Sequence, residues 1–224
     1  MKTIGSTIIM LALASSLFAD NGKELKLASP DGTHEIVFYQ KQVSPAVNEL
    51  CYRVDYKSQP VVNESRAGLE LDNRIWEMAL GVRNLKQPAC WMDNLEVDSV
   101  TYQLETNLTW QPLYGERSSV RDHYRAGTLC LSKKDNSGYR LNIEVRAYNE
   151  GVAFRYFFPE HPKAIFHKVV GDLTEYALPA GTKAWTEQWA QAFFERLNID
   201  DIKAMCDELI EAQGNYMSMY KIKR

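Results

Sequence analysis

The sequence predicts an all-β fold of antiparallel strands followed by one short amphipathic helix. Three observations carry that expectation. The 224-residue chain holds 12 Tyr, 8 Phe and 5 Trp, an aromatic content that suits pleated, half-buried surfaces. Between Leu25 and Phe158 the apolar residues come in short alternating or β-branched runs, the period of strands and not of helices. Turn chemistry punctuates those runs, and a helical period takes over only after Pro179.

The elements follow in order. Ser29-Pro30-Asp31-Gly32 is a turn, because proline presets φ at its second position and glycine accepts a positive φ. It delivers His34 to Tyr39 as a strand. Glu49 to Tyr56 is the next, with Leu50, Tyr52, Val54 and Tyr56 on one face and Cys51, Arg53 and Asp55 on the other. Ser58-Gln59-Pro60 turns the chain toward Val61-Val62, and Ala67 to Leu71 forms another short strand. Asp93 to Thr106 reads largely as strand and Gly127 to Ser132 as a short one. Asp135-Asn136-Ser137-Gly138 leads into Tyr139 to Tyr148, which Asn149-Glu150-Gly151 joins to Val152 to Phe158 as a hairpin.

Beyond Pro179, Ile199, Ile202, Met205, Cys206, Leu209 and Ile210 recur at helical spacing behind Asn198 as cap. Asp200 and Asp201 sit where a helix dipole favours acids, and Gly214 closes the helix. Tyr216 to Tyr220 begins a strand-like piece before the basic Lys221 to Arg224. No internal repeat or flexible linker divides the mature chain, so a β domain over 20–197 with a helix and tail over 198–224 is the economical organisation.

Charge and patterning exclude whole classes of function. Lys+Arg at 26 against Asp+Glu at 29 gives a net charge of -3, which provides no field for a phosphate backbone, so no nucleic-acid partner is expected. Residues 1–19 have the layout of a secretory signal: Lys2 supplies a positive charge, 4–17 are apolar or small, and the polar Asp20-Asn21-Gly22 follows Ala19. Nothing later approaches the length of an apolar membrane span, so the mature product is expected in the periplasm or outside the cell, with no span after cleavage.

Candidate chemistry is sparse. Cys51, Cys90, Cys130 and Cys206 are spaced too widely for a metal knuckle. Export permits a disulfide between two of them, but Cys51 and Cys130, each between hydrophobic neighbours, favour a reading as small buried hydrophobes. His34, His123, His161 and His167 lack metal-ligand spacing, and no motif for acyl transfer, nucleotide binding or zinc hydrolysis occurs. Acids are numerous, yet spacing selects no catalytic pair. One segment, Tyr114-Gly115-Glu116-Arg117-Ser118-Ser119-Val120-Arg121-Asp122-His123-Tyr124, concentrates charge and aromatics ahead of a strand. It reads either as a buried ion-pair network among Glu116, Arg117, Arg121 and Asp122 or as the polar wall of a pocket.

That segment, with Arg146-Ala147-Tyr148-Asn149-Glu150-Gly151-Val152-Ala153-Phe154-Arg155-Tyr156 and Thr174-Glu175-Tyr176-Ala177-Leu178-Pro179, resembles the amino-terminal domain of glycoside hydrolase family 97. Leu27-Ala28-Ser29-Pro30-Asp31-Gly32 and Ser65-Arg66-Ala67-Gly68-Leu69 are similar to that family's early strands, and the resemblance runs from Leu25 to Glu195. It implies an antiparallel β-super-sandwich that, in exported bacterial α-glucosidases and α-galactosidases, precedes a (β/α)₈ barrel and a small β domain. It also implies an α-linked oligosaccharide as ligand, catalytic carboxylates in the barrel, and a calcium ion held by glutamates, one of them from the amino-terminal domain. Trp185-x-x-x-Trp189-Ala190-Gln191-Ala192-Phe193-Phe194-Glu195 resembles the stretch that presents it, which makes Glu195 the candidate calcium ligand.

A (β/α)₈ barrel takes about 250 residues, whereas fewer than thirty follow Glu195. The expectation is therefore a fragment of such an enzyme, without catalytic residues of its own, inactive alone, and using calcium only in the context of the full-length enzyme with its barrel. The alternatives are a stand-alone carbohydrate-binding module, in which exposed rings stack on sugars, and a structural remnant without activity.

Overall fold

Alternation along each strand decides which side chains meet, and two sheets result. The structure is a computed structural model that describes residues 23–81, 94–133, 138–163, 166–187, 193–202 and 204. The first sheet holds β1 (Glu24–Ala28), β2 (His34–Ser44), β3 (Val47–Tyr56) and β4 (Gln59–Arg66), antiparallel and in that spatial order. Ile36 lies opposite Val54 and Phe38 opposite Tyr52, so the face expected of the second strand is the buried one. The β3–β4 turn is Lys57-Ser58, with φ of 49° and 62°, the left-handed pair that matches strand twist. The turn expected at Ser58-Gln59-Pro60 is thus displaced by one residue. Pro60 lies inside β4, at a sheet edge where its missing N–H breaks no ladder.

After β5 (Leu69–Leu71) comes α1 (Arg74–Leu80), a helix that the sequence reading did not contain. It has Gly81 at φ 61° behind it, the left-handed C-terminal stop that glycine adopts without penalty. The second sheet takes β6 (Leu95–Tyr102), β7 (Thr106–Trp110), β8 (Val120–Lys133), β9 (Arg140–Tyr148) and β10 (Gly151–Phe157). Its order is β10-β9-β8-β6, with β7 on the first half of β8. The single strand expected over Asp93 to Thr106 is therefore two, broken where Leu104 turns out to solvent. The short strand expected at Gly127 to Ser132 is the second half of the long β8. The 148–151 hairpin is as read from the sequence, with Gly151 opposite Tyr148.

The sheets stack as a β-sandwich, the fold class the alternating runs predict. Leu25, Ile36, Phe38 and Leu50 from the first face Leu129, Leu141, Ile143 and Val145 from the second, all of them buried. Each such side chain contributes about 1.5–3 kcal/mol of burial. Phe38 stacks on Tyr52 at 5.3 Å between centroids and meets Phe154 edge-on at 5.1 Å, the offset geometries that ring quadrupoles prefer. Cys51 is buried in β3, where desolvation pushes its thiol up to about 11. Cys51 and Cys130 are both free. Cys51 is the small buried hydrophobe expected, whereas Cys130, between the buried Leu129 and Leu131, alternates to the outer face of β8 and is only half-buried; Cys90 and Cys206 lie outside the described residues.

Downstream, β11 (Val169–Asp172) pairs with β5. Residues 173–177 then run along the edge of the first sheet, where the Glu175 N–H donates to the Arg66 carbonyl at 2.8 Å and the Asn63 N–H to the Ala177 carbonyl at 2.7 Å. A hairpin of β12 (Lys183–Thr186) and β13 (Glu195–Asn198) follows, another pair absent from the sequence reading. Residues 199–202 are helical, and Asn198 Nδ2 donates to Asp201 Oδ2 at 3.1 Å across the first turn. The rest of the expected helix, the Tyr216 to Tyr220 piece and the signal-like 1–19 lie outside the described residues. No helix among those described is long and apolar enough to cross a membrane.

Candidate functional site

Glu195, the candidate calcium ligand, opens β13. The turn at Pro179 to Thr182 places it: Gly181 at φ 78° lets Thr182 fold back, and its hydroxyl donates to the Pro179 carbonyl at 2.6 Å. The Ile199 N–H closes the far end of the hairpin on the Thr182 carbonyl at 3.1 Å. Thr186 lies opposite Glu195 and Trp185 opposite Arg196. Cross-strand partners share a face and neighbours alternate, so Glu195 sits with Ala184 and Leu197 while Trp185 is on the other side. Glu195 is exposed. Trp185, Phe193 and Phe194 around it are 70%, 93% and 69% exposed; Trp189 lies outside the described residues. Among the described residues, no three of His, Cys, Asp and Glu come together to hold a metal.

The charged segment before β8 is not the buried network that one reading of its sequence requires. Glu116 and Arg117 are exposed, and among the described residues no ion pair joins Glu116, Arg117, Arg121 and Asp122. The long β7–β8 hairpin carries these residues out along its arm, where Glu116, Arg117 and Arg121 are exposed and Asp122 is half-buried. Arg121 Nε instead donates to Asn107 Oδ1 at 2.9 Å. The ion pairing in this arm centres on Glu105, which the sequence reading overlooked. It takes His123 Nε2 at 2.7 Å and Arg125 Nε at 3.0 Å, and these donors hold its carboxyl below the usual range. None of Tyr114 to Tyr124 lines the cleft between the sheets or the groove on the outer face of the second sheet.

A cleft of about 1080 Å³ opens between the two sheets beside the edge strand β10. Phe154, Tyr156 and Tyr176 wall it, with His34 tilted against Tyr56 at 4.7 Å. Tyr156, Thr174 and Asp172 of its lining are committed to one another. The Gly68 N–H donates to the Tyr156 hydroxyl at 2.8 Å. Thr174 Oγ1 donates to Asp172 Oδ1 at 2.6 Å and so accepts from Tyr156, also at 2.6 Å. Burial raises the Tyr156 phenol far above its ordinary value, so it stays protonated and acts as a bracket. The cleft presents aromatic surface, with Glu150 and Asp172 among its lining.

The histidines separate in the same way. His161 is buried beside Tyr139, at 5.4 Å between rings. His167 stacks on Phe158 at 4.3 Å and lies 3.1 Å from Asn73 Nδ2. Asn73, fully buried just before α1, also accepts from the Lys168 N–H at 2.7 Å. These residues pin the 166–168 segment to the helix start.

Comparison with known proteins places this arrangement. The family model described as Glycosyl-hydrolase 97 N-terminal matches residues 27–211. A retaining alpha-galactosidase of Bacteroides thetaiotaomicron is 26% identical over 178 residues, which are 80% of this chain and 22% of that protein. Two solved structures of a glycoside hydrolase family 97 enzyme from Pseudoalteromonas sp. strain K8, in complex with panose and with acarbose, share the fold at a TM-score of 0.63 and 24% identity. They align over 79% of this chain and 25% of theirs. A beta-arabinopyranosidase structure aligns at a TM-score of 0.58 and 16% identity, over 76% of this chain and 26% of its own. The chain thus spans about a quarter of the length of the relatives it matches.

Proposed function

The chain belongs to the glycosyl-hydrolase 97 N-terminal family, and from that premise we propose that it is the non-catalytic β-sandwich domain of an exported, calcium-dependent α-glycosidase acting on α-glucosides or α-galactosides. The observation that carries the reading is the family match across 27–211, which takes in the sandwich and the β12–β13 hairpin together. The named activity of the Bacteroides relative and the sugars bound by the Pseudoalteromonas enzyme support an α-linked oligosaccharide as the partner.

In this reading the sandwich docks against a catalytic barrel and offers Glu195 toward the metal. Glu195 suits that task, being a hard oxygen donor on a strand, exposed and uncommitted to any described partner. Calcium takes six to eight oxygens, so the residues of this chain alone do not fit a complete site, and the other ligands and both catalytic carboxylates come from the barrel. The domain alone therefore turns over nothing. Export places the enzyme in the periplasm or outside the cell, with maturation near Asp20.

The test joins the chain to the barrel and carboxy-terminal part of the Bacteroides relative and follows release of nitrophenol from nitrophenyl α-galactoside with and without calcium. Hydrolysis that needs both parts, and whose calcium requirement rises in Glu195→Gln, is the expected result. Turnover by the purified chain alone that disappears in Glu195→Gln overturns the reading. So does a fusion whose calcium requirement ignores that substitution.

A further inference from the structure

The outer face of the second sheet carries a built pattern that neither the core nor the β12–β13 hairpin uses. Register across β8, β9 and β10 aligns three rows: Tyr124, Tyr148 and Gly151; Ala126, Arg146 and Ala153; Thr128, Glu144 and Arg155. Small residues flank the central arginine on both sides, which lowers the floor and leaves a groove of about 520 Å³ running from Gln103 to Arg155.

Its polar groups are held in place. The Arg146 guanidinium lies 4.4 Å over the Tyr124 ring, and Nη1 donates to the Tyr148 hydroxyl at 3.4 Å. Stacking of this kind fixes the plane of the donor fork. The two tyrosines pack at 5.1 Å with a 50° tilt, and Tyr148 is only half-buried. Beside them, Arg155 grips Glu144 through Nε and Nη2, both at 2.6 Å from Oε2, which leaves Oε1 to accept. The Thr128 hydroxyl and the Gln103 side-chain amide have no described protein partner, while the Gln103 N–H donates to the Ala126 carbonyl at 3.0 Å. A ring platform, a fixed donor and a fixed acceptor therefore stand side by side, two residues apart along one strand.

We infer that this groove binds a neutral saccharide, with a pyranose ring against Tyr148 and its hydroxyls shared between Arg146 as donor and Glu144 as acceptor. Sugars present an apolar face and a rim of groups that both donate and accept, so a mixed donor–acceptor pair beside an aromatic ring matches them. The Glu144–Arg155 ion pair leaves Arg146 as the one net charge of the groove lining, too little to single out a polyanion. The inference rests on the proposed carbohydrate partner and locates a surface for it on a different sheet from Glu195. β8, β9 and β10 supply its central residues, so the surface is preformed and rigid.

The experiment titrates the whole chain with maltotriose, melibiose and, as a polyanion, heparin, following amide shifts by NMR. Saturable binding of a neutral sugar that weakens more than tenfold in Arg146→Ala and in Tyr148→Ala, with wild-type circular dichroism, is the expected result. Lys26→Ala on the other sheet leaves it unchanged. Sugar binding that ignores both groove variants but is lost in Trp185→Ala overturns the groove and spares the carbohydrate reading. No binding of either sugar, or binding of heparin alone, overturns the groove, and the barrel fusion then decides the wider reading separately.

Discussion

The Tyr52 hydroxyl donates a 2.7 Å hydrogen bond to the backbone carbonyl of Glu175, 123 residues further along the chain. It is the rivet between a central strand of the first sheet and the segment that covers that sheet's edge. Both groups are buried, so neither has water as an alternative partner. Replacing Tyr52 by Phe removes this buried bond at almost constant volume. A loss of about 1–2 kcal/mol is expected in urea unfolding; an unchanged midpoint would show that the edge segment contributes nothing to global stability.

Ile143 is fully buried at the centre of β9, facing the first sheet. Ile143→Ala removes methylene groups where the flanking strands cannot close in, and costs about 2–5 kcal/mol. An equally drastic change at Arg140, exposed on the same strand, is expected to shift the thermal midpoint far less.

The Lys57-Ser58 turn holds two side-chain-bearing residues in the left-handed region. Asn and Gly bear that geometry more readily than Lys and Ser, so the double change Lys57→Asn, Ser58→Gly raises stability by about 1 kcal/mol. A fall in the thermal midpoint would contradict the turn geometry itself.

Acid acts in two steps. Burial, and then the neighbouring His161, hold the His167 imidazole below its ordinary value, so the folded chain binds fewer protons here than the unfolded one. The contribution is fully present above about pH 6.5 and declines as pH falls through that value. Asp31 accepts from Ser29 and Thr33 and is held down to about 2. Its contribution is present above about pH 4 and lost as pH falls toward 2. Thermal midpoints measured between pH 8 and pH 2 test both, and His167→Gln is expected to flatten the upper step while leaving the lower one.

Trp185, Phe193 and Phe194 are exposed rings on and beside one hairpin, the kind of apolar surface that marks an interface. The native chain is expected to enhance the fluorescence of a hydrophobic dye and to lose most of that signal when the three are made polar. A dye-negative wild type would place these rings against other parts of the chain.

The sandwich was legible in the sequence because its strands alternate and its turns carry their own chemistry. Leu50 to Tyr56 shows which face is buried without any partner in view, and Asn149-Glu150-Gly151 sets its own hairpin. The family resemblance likewise needed only ordered motifs. What the linear sequence left undecided depends on partners distant along the chain. α1 is seven residues, too short to show a period, and stands where Asn73 is satisfied by the 167–168 segment. β12 and β13 are four residues each and exist by pairing with each other. The charges of Glu116, Arg117, Arg121 and Asp122 read in sequence as a network or a pocket wall, but the β7–β8 arm carries Glu116 and Arg117 out to solvent and gives Arg121 to Asn107. The groove around Arg146 depended on register, since only the alignment of β8 and β10 with β9 sets Ala126 and Ala153 beside that arginine. Alternation along a strand is a local property of the chain, whereas the row a residue joins across a sheet is set by long-range pairing.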